Sequence, residues 1–294
     1  NTKGGASVPL SMNKTAMAHA DNNYIGIYQQ LGQYWGEQPG TQGPVYVGAF
    51  VLMLFVLGLF IVKGPMKWAL LAVTILSVML SWGKNFMGLT DFFIDYMPMY
   101  AKFRTVASIL VIAEFTIPLL AMLALRQWID NAQRSMSLTP VWTSFALTGG
   151  IALLFALMPD LFFGNYVSTA EMQALSQIPQ DQLNPLLQNL IEMRRAMFTS
   201  DAWRSFFIIV IGTAFLLLYK YGRLSSQLTV LAILLLCLLD LWQINKRYLN
   251  DEMFVPKSER DNPVVKTETD EIILQDKTLD YRVQIGRASC RERV

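Results

Sequence analysis

The chain has 294 residues, 53% of them hydrophobic and 16% charged, with 24 Lys and Arg against 22 Asp and Glu for a formal net charge of +2. So small a charge, without a basic patch, gives nucleic acid no purchase. One His and two Cys exclude a disulfide scaffold and most thiolate-metal or Cys-His chemistry.

Residues 1–44 form a polar segment that starts without an initiator Met, and an internal fragment of a longer protein is expected. Within it, His19 reads as a surface residue, and Asn13-Lys14-Thr15 matches a glycosylation sequon, a pattern too short to carry meaning by itself. Six apolar stretches then follow at 45–62, 66–82, 105–125, 141–158, 203–219 and 228–244. A hydrocarbon core of about 30 Å takes about 20 helical residues, so each is read as a transmembrane helix with a few interfacial residues at its ends. Trp68, Trp82, Trp142, Trp203, Tyr219 and Trp242 stand near span ends, where amphipathic rings favour the headgroup region. The fold class is therefore an all-α integral membrane protein, a polytopic helical bundle.

Lys63, Lys67, Arg126, Arg134, Lys220 and Arg223 gather on one set of short loops with a single acid, Asp130. The positive-inside rule puts these loops in the cytoplasm and both termini, with the longer loops, outside it.

The loop between spans two and three is the densest in chemistry. Thr90 reads as the cap of a short helix, Asp91 and Asp95 share a face at i and i+4, and Pro98 ends it. Such a helix lies in the outer interface. Lys84, Lys102 and Arg104 flank it and have the chemistry to bind a phosphate-bearing lipid, with the two carboxylates beside a polar acceptor. An amphipathic connector with a solvated acidic face is the plainer alternative.

Glu114 falls near the middle of the third predicted span, where a charge costs roughly 2.5 kcal/mol or more, so it is expected to face other helices or water. Pro118 frees its carbonyl. Gly149-Gly150 permit close helix packing. In the loop from Pro159 to Ala202, Ser168 and Glu171 spell a capping box, Asn184-Pro185 opens a helix through Met197, and Thr199, Ser200 or Asp201 caps the fifth span. Arg194 and Arg195 read as a solvated pair or as headgroup contacts, and Asp240 as an acid close enough to the outer end of its span to reach the interface. No phosphate loop, H-E-x-x-H or paired CxxC is present, and no metal ligand set is expected.

Residues 245–283 are read as the start of an extracytoplasmic domain, with a helix around 263–275 and a strand at 281–283. Ile285–Val294 reads IGRASCRERV, which looks like the in-frame translation of a common sequencing adapter. Those ten residues carry the whole net charge of +2 and Cys290, leaving Cys237 as the native cysteine.

The runs YWGEQPGTQGPVYVGA at Tyr34–Ala49, LSWGKNFMGLTDFF at Leu80–Phe93, PMYAKFRTVASILVIAEF at Pro98–Phe115 and RRAMFTSDAWRS at Arg194–Ser205 resemble the YfhO family of bacterial membrane proteins. The resemblance implies a bundle related to the GT-C glycosyltransferases in the bacterial inner membrane. It implies transfer of a sugar from a polyprenyl-phosphate donor to a cell-envelope acceptor on the outer face, with membrane lipids as partners and a divalent cation as an open question. In GT-C enzymes the essential carboxylate sits on a loop after the first span, so no catalytic residue is carried over to this chain. Arg104, inside the most specific stretch, is favoured among the donor-binding positions. The rival readings are a transporter or flippase for a lipid-linked glycan, which needs polar residues continuing across the bilayer from Glu114, and a non-catalytic envelope-assembly scaffold.

Overall fold

A computed structural model of the chain describes residues 8–36, 45–102, 106–133, 136–162 and 164–248, with Phe254 and Lys257. The chain divides into two compact units, Asn1–Lys3 with Asp251–Val294, and Gly4–Asn250. Of the first, only Phe254 and Lys257 are described; the expected helix and strand after residue 260 lie outside the described residues.

The second unit is helical, with no β-strand among the described residues; Pro9 and Gly32 form an isolated antiparallel bridge. In chain order its helices are α1 (Lys14–Met17), α2 (Ile25–Tyr28), α3 (Ala49–Ile61), α4 (Met66–Ser81), α5 (Met87–Tyr96), α6 (Val111–Asn131), α7 (Thr139–Leu157, with a π-helical turn at Ala146–Gly150), α8 (Pro159–Phe162), α9 (Thr169–Leu175), α10 (Gln180–Lys220) and α11 (Ser226–Tyr248).

Four helices are long and apolar enough to cross a membrane: Ala107–Asn131, Thr139–Leu157, Gln180–Lys220 and Ser226–Tyr248. A fifth is reached if α4 and Gly83–Tyr96, bent by 111° at the break between them, count as one span. Among the described residues the six expected spans are not all reached at full length: α3 has 13 residues, or about 20 Å of rise against the 30 Å of a bilayer core. Between 22 and 33% of each long apolar window is buried within the chain. Apolar surface left open on this scale, such as Leu231, Leu234, Leu235, Leu238 and Leu239 of α11, is stable only against lipid or another apolar partner. The chain is an all-α, multi-pass membrane protein.

Two cores organise this unit. In the apolar bundle, Phe50, Met53 and Leu57 of α3 pack with Ala121, Ala124 and Trp128 of α6 and with Ile209 and Leu216 of α10. The helices approach closely through glycine. A Cβ on Gly212 would lie 2.2 Å from the Phe50 ring, and one on Gly58 would lie 2.8 Å from Leu120. A Cβ on Gly149 would lie 3.2 Å from Ile209, whereas one on Gly150 would meet open space, so only the first serves packing. At the end of α10 the Gly222 amide reaches the Tyr219 carbonyl and the Arg223 amide reaches the Leu218 carbonyl, a Schellman stop with Gly222 at φ 70°. Tyr219, expected in an aromatic belt, is buried there and donates to the Ile129 carbonyl at 2.6 Å.

The second core forms a cap. Leu10, Ala16 and Tyr28 of the N-terminal segment pack with Val167, Leu175 of α9, and Leu186, Leu190 and Met193 of α10. Thus α10 belongs to both cores, its first half to the cap and its second to the bundle. The break expected at residues 199–202 does not occur: α10 runs through them as one helix of 41 residues. Local capping residues lose here because both halves gain buried faces from a continuous helix. The Ser168–Glu171 capping box is present as read.

Candidate functional site: a cavity between cap and bundle

Where the cap meets the bundle, a cavity of about 700 Å³ opens between the N-terminal segment, α7, α10 and α11. Tyr34, Trp35, Tyr46 and Phe155 supply its aromatic wall, and Asp201, Arg204 and Arg247 its charged one. Those charges come from helix positions that local sequence cannot relate. Arg204 projects from the second half of α10, and its Nη1 donates to Asp240 of α11 at 3.0 Å. Its guanidinium also stands over the Tyr46 ring, 5.4 Å from the centroid.

Asp240 is 2% exposed and is the hub of this cluster. It accepts from the Tyr46 hydroxyl at 2.8 Å and from the Ala49 amide at 3.0 Å, so a carboxylate from one helix satisfies the N-terminal donor of another. Gly48, at φ 97°, makes the turn that brings that amide in. The expectation that Asp240 reaches the membrane interface is therefore corrected: it is sealed inside, where an ionised carboxylate is tolerated only because Arg204, Tyr46 and Ala49 pair it.

Asp201, expected as a helix cap, instead takes both η nitrogens of Arg247, each at 2.6 Å, and lies 3.7 Å from Arg204 Nε. The planar fork of a guanidinium matches two carboxylate oxygens at once, which fixes the Arg247 head on the cavity wall.

In the cap, Arg194 overturns its sequence reading as a solvated or lipid-facing residue. It is fully buried and forms a two-pronged pair with Glu171 at 2.6 and 2.8 Å, while donating to the carbonyls of Tyr166 and Gly32. Burial alone would raise the Glu171 carboxyl; the Arg194 pair and the Ser168 bonds outweigh it and hold it below the usual range. Arg194 also stands 5.9 Å from the Trp35 ring, which packs on Tyr166 at 5.6 Å, so this pair positions an aromatic wall of the cavity. Arg195 does lie at the surface, paired with Asp160.

The positions singled out from sequence fall elsewhere. Lys84, Asp91, Asp95 and Lys102 are exposed on or beside α5 and do not line the cavity. Arg104 lies outside the described residues. Thr90 is not a cap: it sits within α5, buried, and donates back to the Gly83 and Phe86 carbonyls. Glu114, expected mid-span, is half-buried in α6, nearer the start than the middle of the continuous span Ala107–Asn131.

The cavity could have been suspected from two signals, Asp240 within an apolar run and Arg204 at the mouth of another, since charges in apolar surroundings must find each other. Among the described residues no group of His, Cys, Asp and Glu is arranged to hold a metal ion. No family model, curated protein or solved structure matches the chain.

Proposed function

We propose that the protein handles a polyprenyl-phosphate-linked sugar as the donor of a glycosyl transfer to a cell-envelope acceptor, and that the junction cavity receives the donor's headgroup. The observation that carries this reading is the composition of the cavity wall, where Arg204 and Arg247 face the same space as Tyr34, Trp35 and Tyr46 beside lipid-compatible helices. A lipid-linked sugar asks for those three things together: a cation for the phosphate, flat rings for the sugar face and an apolar approach for the chain. The resemblance of Tyr34–Ala49 and Arg194–Ser205 to YfhO proteins bears on the same site, because those runs supply Tyr34, Trp35, Tyr46, Asp201 and Arg204.

In this reading the cap stands outside the cytoplasm. Lys63, Lys67, Arg126, Lys220 and Arg223 then mark the cytoplasmic turns, where Lys67 also donates to the Leu59 carbonyl and Lys220 to that of Ala132. The exposed α5, with Phe92, Ile94 and Tyr96 open, rests in the outer interface, and Lys84 and Lys102 contact phosphate headgroups there. Asp201 has both oxygens engaged by Arg247, so the cavity is assigned to donor binding and not to base catalysis.

The test is binding of a polyprenyl-phosphate sugar by the chain in nanodiscs. Arg247→Gln and Arg204→Gln should each weaken it about tenfold or more, the effect of losing one charge-assisted contact to phosphate. Arg204→Lys, which keeps the charge opposite Asp240, should retain the fold and lose most of the affinity. Unchanged binding in all three variants would overturn the reading.

A further inference from the structure

A second cavity, of about 380 Å³, lies against the first and shares Gln33, Met197, Asp201 and Arg247 with it. Its character is different. Its lining carries three cations, Lys14, Lys246 and Arg247, against the one carboxylate of Asp201, with Thr15, Ser200 and Gln243 as neutral polar groups. No aromatic residue lines it.

Its walls are held in place. Asn13 caps α1 by accepting from the Ala16 amide at 3.1 Å, and its amide nitrogen donates to Gln33 at 3.4 Å. Gln33 in turn donates to the Pro9 carbonyl at 3.2 Å. On the opposite side Arg247 is fixed by Asp201, and Lys246 stands 5.5 Å from the centroid of the Trp242 ring. The cations thus come from two separate parts of the chain, the N-terminal segment and the end of α11, and converge on one small polar space.

We propose that this second cavity is a binding site for a phosphate-bearing polar ligand, distinct from the aromatic cavity beside it. Lysine ammonium groups bind phosphate as point charges and need no matching plane, while Thr15, Ser200 and Gln243 donate to the remaining oxygens. A space of this size takes a diphosphate or a phosphorylated sugar and excludes a lipid chain. An anion here also competes with Asp201 for Arg247, so its arrival changes the wall of the first cavity as well. This site stands on its own lining and does not depend on the lipid-linked-sugar reading.

The test is calorimetric titration of inorganic pyrophosphate into the full chain held in phosphatidylcholine nanodiscs. The wild type should bind saturably, and the double variant Lys14→Gln with Lys246→Gln about tenfold more weakly. Phe155→Leu, on α7 and in the lining of the first cavity alone, should leave that affinity unchanged. Repeating the titration in nanodiscs containing phosphatidic acid separates the two sources of phosphate: binding lost there assigns the site to a lipid headgroup, and binding kept assigns it to a soluble ligand. No saturable binding by the wild type, or equal affinity in the double variant, overturns the proposal. Circular dichroism of the double variant guards against misfolding, and the single variant Lys14→Gln, on the exposed face of α1, repeats the test should the double variant fail to fold.

Discussion

Arg194 and Arg204 stand ten residues, or about 15 Å, apart on the same helix, and the surroundings of each define a region of the molecule. Arg194 is closed off: its η nitrogens are taken by Glu171 and two backbone carbonyls, and it locks three segments of the cap onto α10. Arg204 is paired with Asp240 yet keeps 17% of its side chain open to a cavity. The difference teaches how one helix carries both an enclosed and a cavity-facing cation: the first is surrounded by acceptors from its own chain, the second borders open space. Each leaves its Nε without a hydrogen-bond partner, so exposure and not saturation separates the two.

If the comparison holds, Arg194→Ala should unfold the cap. Removing one partner of a buried pair leaves Glu171 and two carbonyls uncompensated, at about 3–5 kcal/mol, read as a fall in thermal stability and early proteolysis of residues 8–36. Asp240→Ala should cost a similar ~3–5 kcal/mol, because Arg204 and the Ala49 amide lose their acceptor together. Its damage should appear at the start of α3 in hydrogen exchange, leaving the cap protected. Damage confined to the cap would break the assignment of Asp240 to the junction.

Gly212→Ala tests the bundle alone. The new methyl meets the buried Phe50 ring and should destabilise by roughly 1–3 kcal/mol without changing cap protection.

Acid separates the regions more gently. Glu171 is held below its ordinary 4.5 in the folded protein, so its contribution is complete above that value and is lost as pH falls through the lower folded one. Hydrogen exchange in the cap should therefore accelerate as the pH falls below 4.5 and through the lower folded value, and Glu171→Gln should flatten that dependence. The smallest effect is expected at Glu114→Gln: a near-isosteric change at a half-buried position should alter stability by no more than about 0.5 kcal/mol, measured by thermal unfolding in detergent.

What was legible in the chain was what is local. Apolar runs locate α4, α7 and α11 to within a few residues, and Ser168-x-x-Glu171 spells its capping box because both partners lie three residues apart. The charged network was not legible, since its pairs join distant parts of the chain: Arg194 with Gly32, Arg204 with Asp240, Asp201 with Arg247. Thr199, Ser200 and Asp201 have the composition of a helix start, yet tertiary packing carries α10 straight through them. Hydropathy finds an apolar window but not its ends, so the third span runs on to Asn131 and Glu114 lies nearer its start than the window put it.

The central claim, that the lipid-linked donor enters the space between cap and bundle, is tested most directly by photo-crosslinking. A polyprenyl-phosphate sugar carrying a diazirine on the sugar would be irradiated with the protein in nanodiscs and the adducts mapped by mass spectrometry. The account predicts adducts at Tyr34–Gly36 and Met197–Ser205, suppressed by excess unlabelled donor and by Arg247→Gln. Specific adducts confined to residues 84–102, or none that unlabelled donor suppresses, would contradict it.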